Sequence, residues 1–282
     1  MFAHPSVPLE GLLLGVATSA GQSEDALDDA WLAFCEGGGC AAWNNTERPE
    51  ERLQAWSRPE VDLDLAHSLS VDIYRTSVDW TRLAPRAPSL SASCRTRCAA
   101  ATMEQRGTGL ADCVCSGVQN ASALARYGEV LRMVRARGMR VMLTLFHHSL
   151  PPWAIERGGW KDDASLPEEF ALFAADVAAA LGGDVEHWLT LNEPLVFSGH
   201  TYIQGDWPGG RGGPAGYSTR SLGIVNRALD RMAEAHVLAY AAIKAAMSGV
   251  ARIGLALNVA APIKKPSRTS RRPCVSDPAP PP

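Results

Sequence analysis

Short apolar runs alternate with longer segments of helical period along most of the chain. The runs are Leu12–Ala20 (LLLGVATSA), Val71–Val78 (VDIYRTSV), Arg140–Phe146 (RVMLTLF), Val185–Asn192 (VEHWLTLN) and Arg252–Asn258 (RIGLALN). Between them, Glu60–Ser70 sets Val61, Leu65 and Leu69 on one helical face, and Ala121–Arg137 is a basic amphipathic helix stopped by Gly138. Leu166–Leu181 is a helix ended by Gly182-Gly183, and Ser221–Met247 is a long amphipathic one. Strands that are apolar throughout and separated by helices predict a parallel sheet covered on both faces.

An open doubly wound sheet and a closed α/β barrel both fit that alternation. The polar residues favour the barrel. Each apolar run finishes in polar or aromatic chemistry: Gln22 after the first, Arg75 to Trp80 at the second, His147-His148 after the third, Asn192-Glu193 at the fourth and Asn258 at the fifth. A barrel delivers every strand end to one active-site rim, whereas an open sheet gathers function at one switch point. No GxGxxG follows the first strand. The glycines of WPGGRGGPAG (207–216) lack the Lys-Ser/Thr of a phosphate loop and read as a rim loop.

A length of 282 residues suits one such barrel, which takes roughly 250. Lys plus Arg (27) against Asp plus Glu (30) leaves a formal charge of −3, so no nucleic-acid partner is expected. Seven cysteines, an odd number without even spacing, argue against a full disulfide framework. Leu12–Ala20 follows no Lys or Arg, Pro5 and Pro8 interrupt its approach, and it falls far short of the roughly 20 residues that span a bilayer. It reads as a buried strand, and no other segment reads as a membrane span. Two stretches break the pattern. Residues 86–117, rich in Ser, Ala, Arg and Cys, read as an insertion, and residues 264–282, basic and proline-rich, as a disordered tail. Residues 1–263 otherwise form one domain.

Three segments carry candidate chemistry. In TLNEP (190–194), Glu193 stands where the fourth strand ends. A carboxyl at a barrel rim can be held partly desolvated, which raises its pKa and lets it donate a proton near neutral pH. In TLFHHSLPPW (144–153), His147 follows a strand too apolar to be exposed, so its ring should project at the rim. Adjacent residues of an extended strand point to opposite faces, so His147 and His148 should not chelate one ion, and no metal or other cofactor is expected. In YRTSVDW (74–80), Arg75 lies in a buried strand, a costly place unless a carboxylate meets it. Trp80, Trp153, Trp160 and Trp207 fall at or just after rim positions, where aromatic faces suit the C–H faces of sugar rings, although each Trp taken alone reads first as a core-packing residue.

Together these segments resemble glycoside hydrolase family 1, the β-glucosidase family, from about Leu12 to Asn258. GVATSAGQSE (15–24) resembles the first-strand motif of that family, which implies that Gln22 holds a sugar hydroxyl. YRTSVDWTRL (74–83) resembles the second-strand motif, implying that Arg75 pairs with the catalytic nucleophile. TLFHHSLPPW resembles the third, with His147 as a sugar-binding histidine. TLNEP resembles the acid/base signature, with Glu193 as proton donor and Asn192 as the contact to the sugar 2-hydroxyl. SEDALDDAWLAF (23–34), AAWNNTERPEERLQAW (41–56), MLTLFHHSLPPWA (142–154) and GDWPGG (205–210) are most similar to the plant and algal galactolipid galactosyltransferase branch, in which His148 and Ser149 likewise replace the Trp-Asp of the glucosidases. Gln22 follows the glucosidases instead.

The resemblance implies a TIM (β/α)8 barrel, here incomplete, with about the first five β/α units. It implies a retaining glycosidase or transglycosidase with a carbohydrate or glycolipid substrate, at the chloroplast envelope or, alternatively, in the cytoplasm. The family nucleophile is the glutamate of a Glu-Asn-Gly motif on the seventh strand, and that tripeptide occurs nowhere in the sequence. A truncated product is therefore expected, and a non-catalytic sugar-binding remnant is the alternative to an enzyme.

Overall fold

The computed structural model describes residues 11–38, 53–88, 116–210 and 218–259. Five strands, β1 (Gly15–Ala17), β2 (Ile73–Ser77), β3 (Arg140–Phe146), β4 (His187–Asn192) and β5 (Arg252–Ala256), pair in parallel in the order β1-β2-β3-β4-β5. Four long helices alternate with them: α1 (Pro59–Ser68), α2 (Ala121–Ala136), α3 (Leu166–Leu181) and α4 (Thr219–Ala246). A doubly wound sheet reverses its strand order at a switch point. This order never reverses, which is how a (β/α)8 barrel winds, and the described residues form five strands of one.

Local chemistry sets the element ends. Asn120 caps α2 by accepting from the Ala123 amide at 3.0 Å, and Gly138 leaves the helix at φ +80°, a conformation that favours glycine. Ser218 and Ser221 close a reciprocal capping box at the start of α4. Gly15 lets β1 run close to β2, since a Cβ there would stand 2.9 Å from the Ile73 carbonyl oxygen.

The core lies between the sheet and its helices. Its densest part is an aromatic block under the strand ends, where Trp80 stacks on Phe173 (centroids 5.3 Å, 25°) and meets Trp153 edge-on at 5.7 Å. Trp160 and Phe170 close the block, and both are fully buried. Trp80, Trp153 and Trp160 thus take the core-packing reading rather than the ligand-facing one, because short helices after β2 and β3 fold them under the rim.

Two expectations change at the flanks. The first strand is shorter than Leu12–Ala20: pairing covers Gly15–Ala17, and Leu12, Leu13 and Leu14 are exposed. On α1 the buried positions are Pro59, Leu63 and Ala66, while Val61 and Leu65, with Leu69 just past its end, face solvent at 50–62% exposure. That stripe lies on the outer side of the first helix, where no described element covers it. The insertion at 86–117, apart from 86–88 and 116–117, and the tail at 264–282 lie outside the described residues. Cys35 is disulfide-bonded, and no described helix is long and apolar enough to cross a membrane.

Candidate active site

The strand ends open onto a cavity of about 540 Å³. Gln22, His147, Asn192 and Glu193 line it with Trp31, His148 and Trp207, so four of the five residues singled out by sequence share one wall. The fifth, Arg75 on β2, reaches the same place from beneath. Its Nε donates to Thr144 Oγ1 at 3.0 Å and its Nη2 donates to Asn192 Oδ1. Burial lowers the Arg75 pKa and the nearby Glu193 opposes that shift, so the guanidinium stays charged behind Asn192. Asn258, at the end of the fifth run, is exposed and does not line the cavity.

Glu193 is half-buried and holds a left-handed backbone, φ 42° and ψ 60°. For a non-glycine residue that conformation costs roughly 1–3 kcal/mol and persists only where its surroundings enforce it. The enforcement is visible. The Glu193 amide donates to the Ala256 carbonyl of β5 at 2.7 Å, and its own carbonyl accepts from Phe197 at 3.0 Å. Pro194 starts the short helix Pro194–Gly199 immediately after. The strained turn swings the side chain off the sheet and into the cavity.

His148 shares this geometry, with φ 67°. Strand alternation would send His147 and His148 to opposite faces. Instead β3 ends at Phe146, and the left-handed turn at His148 brings both rings to one cavity, 5.1 Å apart and nearly perpendicular. The His148 Nε2–H donates to the Asn192 carbonyl at 2.9 Å. Burial drops the pKa of His147 to about 3 and that of His148 to about 4, so both imidazoles are neutral near pH 7. His147 Nδ1 is buried without a protein partner. Among the described residues no three His, Cys, Asp or Glu side chains are placed to hold a metal.

A buried network supports the rim. Glu24 Oε2 accepts from Arg82 Nε at 3.0 Å and from Tyr127 Oη at 3.0 Å, and that hydroxyl accepts from the Asp79 amide at 2.9 Å. It ties the segment carrying Gln22 to the end of β2. Burial pushes Glu24 up to about 8 and Asp79 up to about 7, Asp29 adding like charge to Asp79. At both Glu24 and Asp79 the cost of burial outweighs the attraction of Arg82, so these two carboxyls keep protons toward neutral pH. Residue-by-residue reading overlooked this network and also Trp31. The available signal was the repeated placing of acidic residues just after apolar runs, at Glu24 and Asp79.

The family profile of glycosyl hydrolase family 1 matches residues 115–276, more than half of the chain. The chain belongs to glycosyl hydrolase family 1. Among relatives in that family, galactolipid galactosyltransferase SFR2, chloroplastic, of Arabidopsis thaliana is 32% identical over 277 residues, covering 80% of this chain and 41% of the relative. Beta-glucosidase-like SFR2, chloroplastic, of Oryza sativa subsp. japonica is 38% identical over 236 residues, covering 83% and 32%. The chain thus spans less than half the length of these relatives. Beta-glucosidase from Thermotoga maritima, solved with a methoxycarbonyl-substituted glucoimidazole, superposes with a TM-score of 0.69 at 24% identity, over 89% of this chain and 49% of that one. That likeness establishes the barrel fold.

Proposed function

We propose that this family 1 chain carries the sugar-binding and proton-donating part of a retaining glycosidase or transglycosidase for β-glycosides, including transfer of galactose between galactolipids. The observation that carries the reading is the convergence of Gln22, His147, Asn192 and Glu193 on one cavity at the strand ends, with Arg75 behind it. Glu193 gives its proton to the leaving oxygen as the glycosidic C–O bond breaks. Neutral His147, with a free buried nitrogen, and Gln22 take sugar hydroxyls. Asn192 receives the 2-hydroxyl on its amide, whose oxygen Arg75 already holds. The chloroplastic names of the SFR2 relatives support a chloroplast location, and the galactolipid in one of those names supports a glycolipid substrate.

Retention needs a second carboxylate roughly 5–5.5 Å from the first. Among the described residues that line the cavity, Glu193 is the one carboxyl group, and this favours the second reading, a chain that binds sugar without turnover. A nucleophile, in this reading, would take Arg75 as its partner, the role that the family resemblance implies. An external nucleophile separates the readings. With phenyl β-galactoside and phenyl β-glucoside, whose leaving oxygen needs a proton, the chain alone should release no phenol. Added azide should restore release by attacking the anomeric carbon, and Glu193→Gln should abolish that rescue. Blank rates with and without azide, at sugar concentrations shown to bind, would leave only the binding reading.

A further inference from the structure

A second cavity, of about 590 Å³, lies outside the active site and collects positive charge. Lys161, Arg220 and Arg227 line it with Gly223 and Ile224, and Asp162 is the one carboxylate among the described residues that line it. Three cations against one acid leave it positive in a chain whose formal charge is −3. Its walls come from the short helix Gly159–Asp162 after β3 and from the first turns of α4. Both stand at the rim end of the barrel, because each β/α unit enters its helix from the ends of the strands.

Local structure explains why the charges gather. Arg220 and Arg227 stand two turns apart on α4 and so share one face, with Gly223 and Ile224 between them as the floor. A Cβ at Gly223 would meet nothing within 4 Å, so the floor is open. On the other wall, Arg231 Nη1 donates to the Trp160 carbonyl at 3.1 Å and to the Lys161 carbonyl, which fixes the short helix against α4. The Lys161 side chain is only 17% exposed, and its Nζ lies 3.7 Å from Asp162 Oδ2. Neither arginine is paired with a carboxylate among the described residues, and Arg227 Nη1 reaches only the Gly223 carbonyl of its own helix, at 3.4 Å. Ser218 caps α4 by accepting from the Ser221 amide at 3.1 Å, so the side-chain cations, not the helix end, mark the site. Like charges held together repel, and an anion between them relieves the repulsion. Each guanidinium offers a planar fork of donors that fits phosphate oxygens in pairs, and the ammonium adds a point charge. The volume lies in the range of small-molecule sites.

We propose that this pocket binds a phosphate-class oxyanion, either free or as the headgroup of an anionic lipid. The site is separate from the sugar cavity and stands whether or not the chain turns over a glycoside. Two measurements on the full chain test it: titration with inorganic phosphate followed by phosphorus NMR, and sedimentation with phosphatidylcholine vesicles with and without phosphatidylglycerol. Changing Arg220→Gln and Arg227→Gln together should weaken binding about tenfold, and either alone about threefold. Both arginines are exposed, so these variants should keep the fold. Added salt should weaken binding in both arms. Arg252→Gln, an exposed position at the start of β5 and so at the opposite end of the barrel, should leave binding unchanged. Binding that the double variant loses supports the site; phosphate identifies the free ion as its source, and vesicles carrying phosphatidylglycerol identify the headgroup. No binding in either arm, full binding by the double variant, or an equal loss in Arg252→Gln overturns the proposal.

Discussion

The middle of the sheet and its two flanks are built from the same kinds of residue and reach opposite ends. Around β2, β3 and β4, helices α2 and α3 bury Leu131, Val134, Phe170, Phe173 and Val177 to 1% exposure or less. On the flanks, Val61 and Leu65 of α1, Leu69 just past it, and Leu222, Val237 and Tyr240 of α4 stand in solvent, as do Leu12–Leu14 before β1 and Leu257 after β5. An apolar stripe is buried only if a neighbour stands opposite it, and barrel helices find that neighbour in the next β/α unit. Every residue gathered at the cavity descends from the well-covered middle or is tied to it. Glu193 is the most telling case, because β5 fixes its strained backbone while the β3 and β4 ends supply its surroundings.

The largest expected effect comes from emptying the middle. Phe173→Ala should cost about 3–5 kcal/mol, read from the denaturant midpoint, since Phe173 is fully buried beneath Trp80. A cost below about 1 kcal/mol would show that the middle is no better packed than the edges.

A pH series sharpens the contrast within the middle. Glu24 and Asp79 hold protons more tightly folded than unfolded, so their contribution is full below about pH 4 and is lost as the pH rises through about 7 and 8. His147 and His148 run the other way, their contribution being full above 6.5 and lost as the pH falls through about 4 and 3. Stability should therefore be level between about pH 4.5 and 6.5 and decline toward pH 8. Glu24→Gln should flatten that decline, measured as urea midpoints at pH 6 and pH 8. An unchanged slope would remove Glu24 from the account.

Smaller still is the half-buried bond between Thr190 Oγ1 and His236 Nδ1, 2.7 Å across β4 and α4. Thr190→Val should cost about 0.5–1.5 kcal/mol, the net worth of an ordinary hydrogen bond, because water can reach the half-exposed imidazole. The flank should respond least: Leu65→Ser, at 62% exposure, should shift the midpoint by about 0.5 kcal/mol or less. A loss comparable to that of Phe173→Ala would mean that the stripe is covered in solution.

Much of this was legible in the residue pattern, for a definite reason. β3, α3 and the terminator at Gly138 follow from local periodicity and glycine chemistry, and they fall where the pattern places them, α3 ending before Gly182. Gln22, His147, Asn192 and Glu193 could be singled out because polar residues ending apolar strands are unusual and their segments are distinctive. Burial direction was less legible. Trp80, Trp153 and Trp160 sit at rim positions in sequence yet pack inward, and the stripe on α1 has helical spacing yet faces water. Periodicity shows that a helix has a face, and it does not show which neighbour that face meets.

The sequence alone determined the alternation of strand and helix, the absence of a nucleotide loop, and the four segments that mark the family, because these depend on short-range spacing. The tertiary structure decided the rest. It put His147 and His148 on one cavity through a left-handed turn, hydrogen-bonded Arg75 to Asn192 with the Glu193 carboxylate nearby, and braced Trp207 on His200. Each of these joins residues far apart in the chain or turns on a backbone torsion, and strand spacing encodes neither.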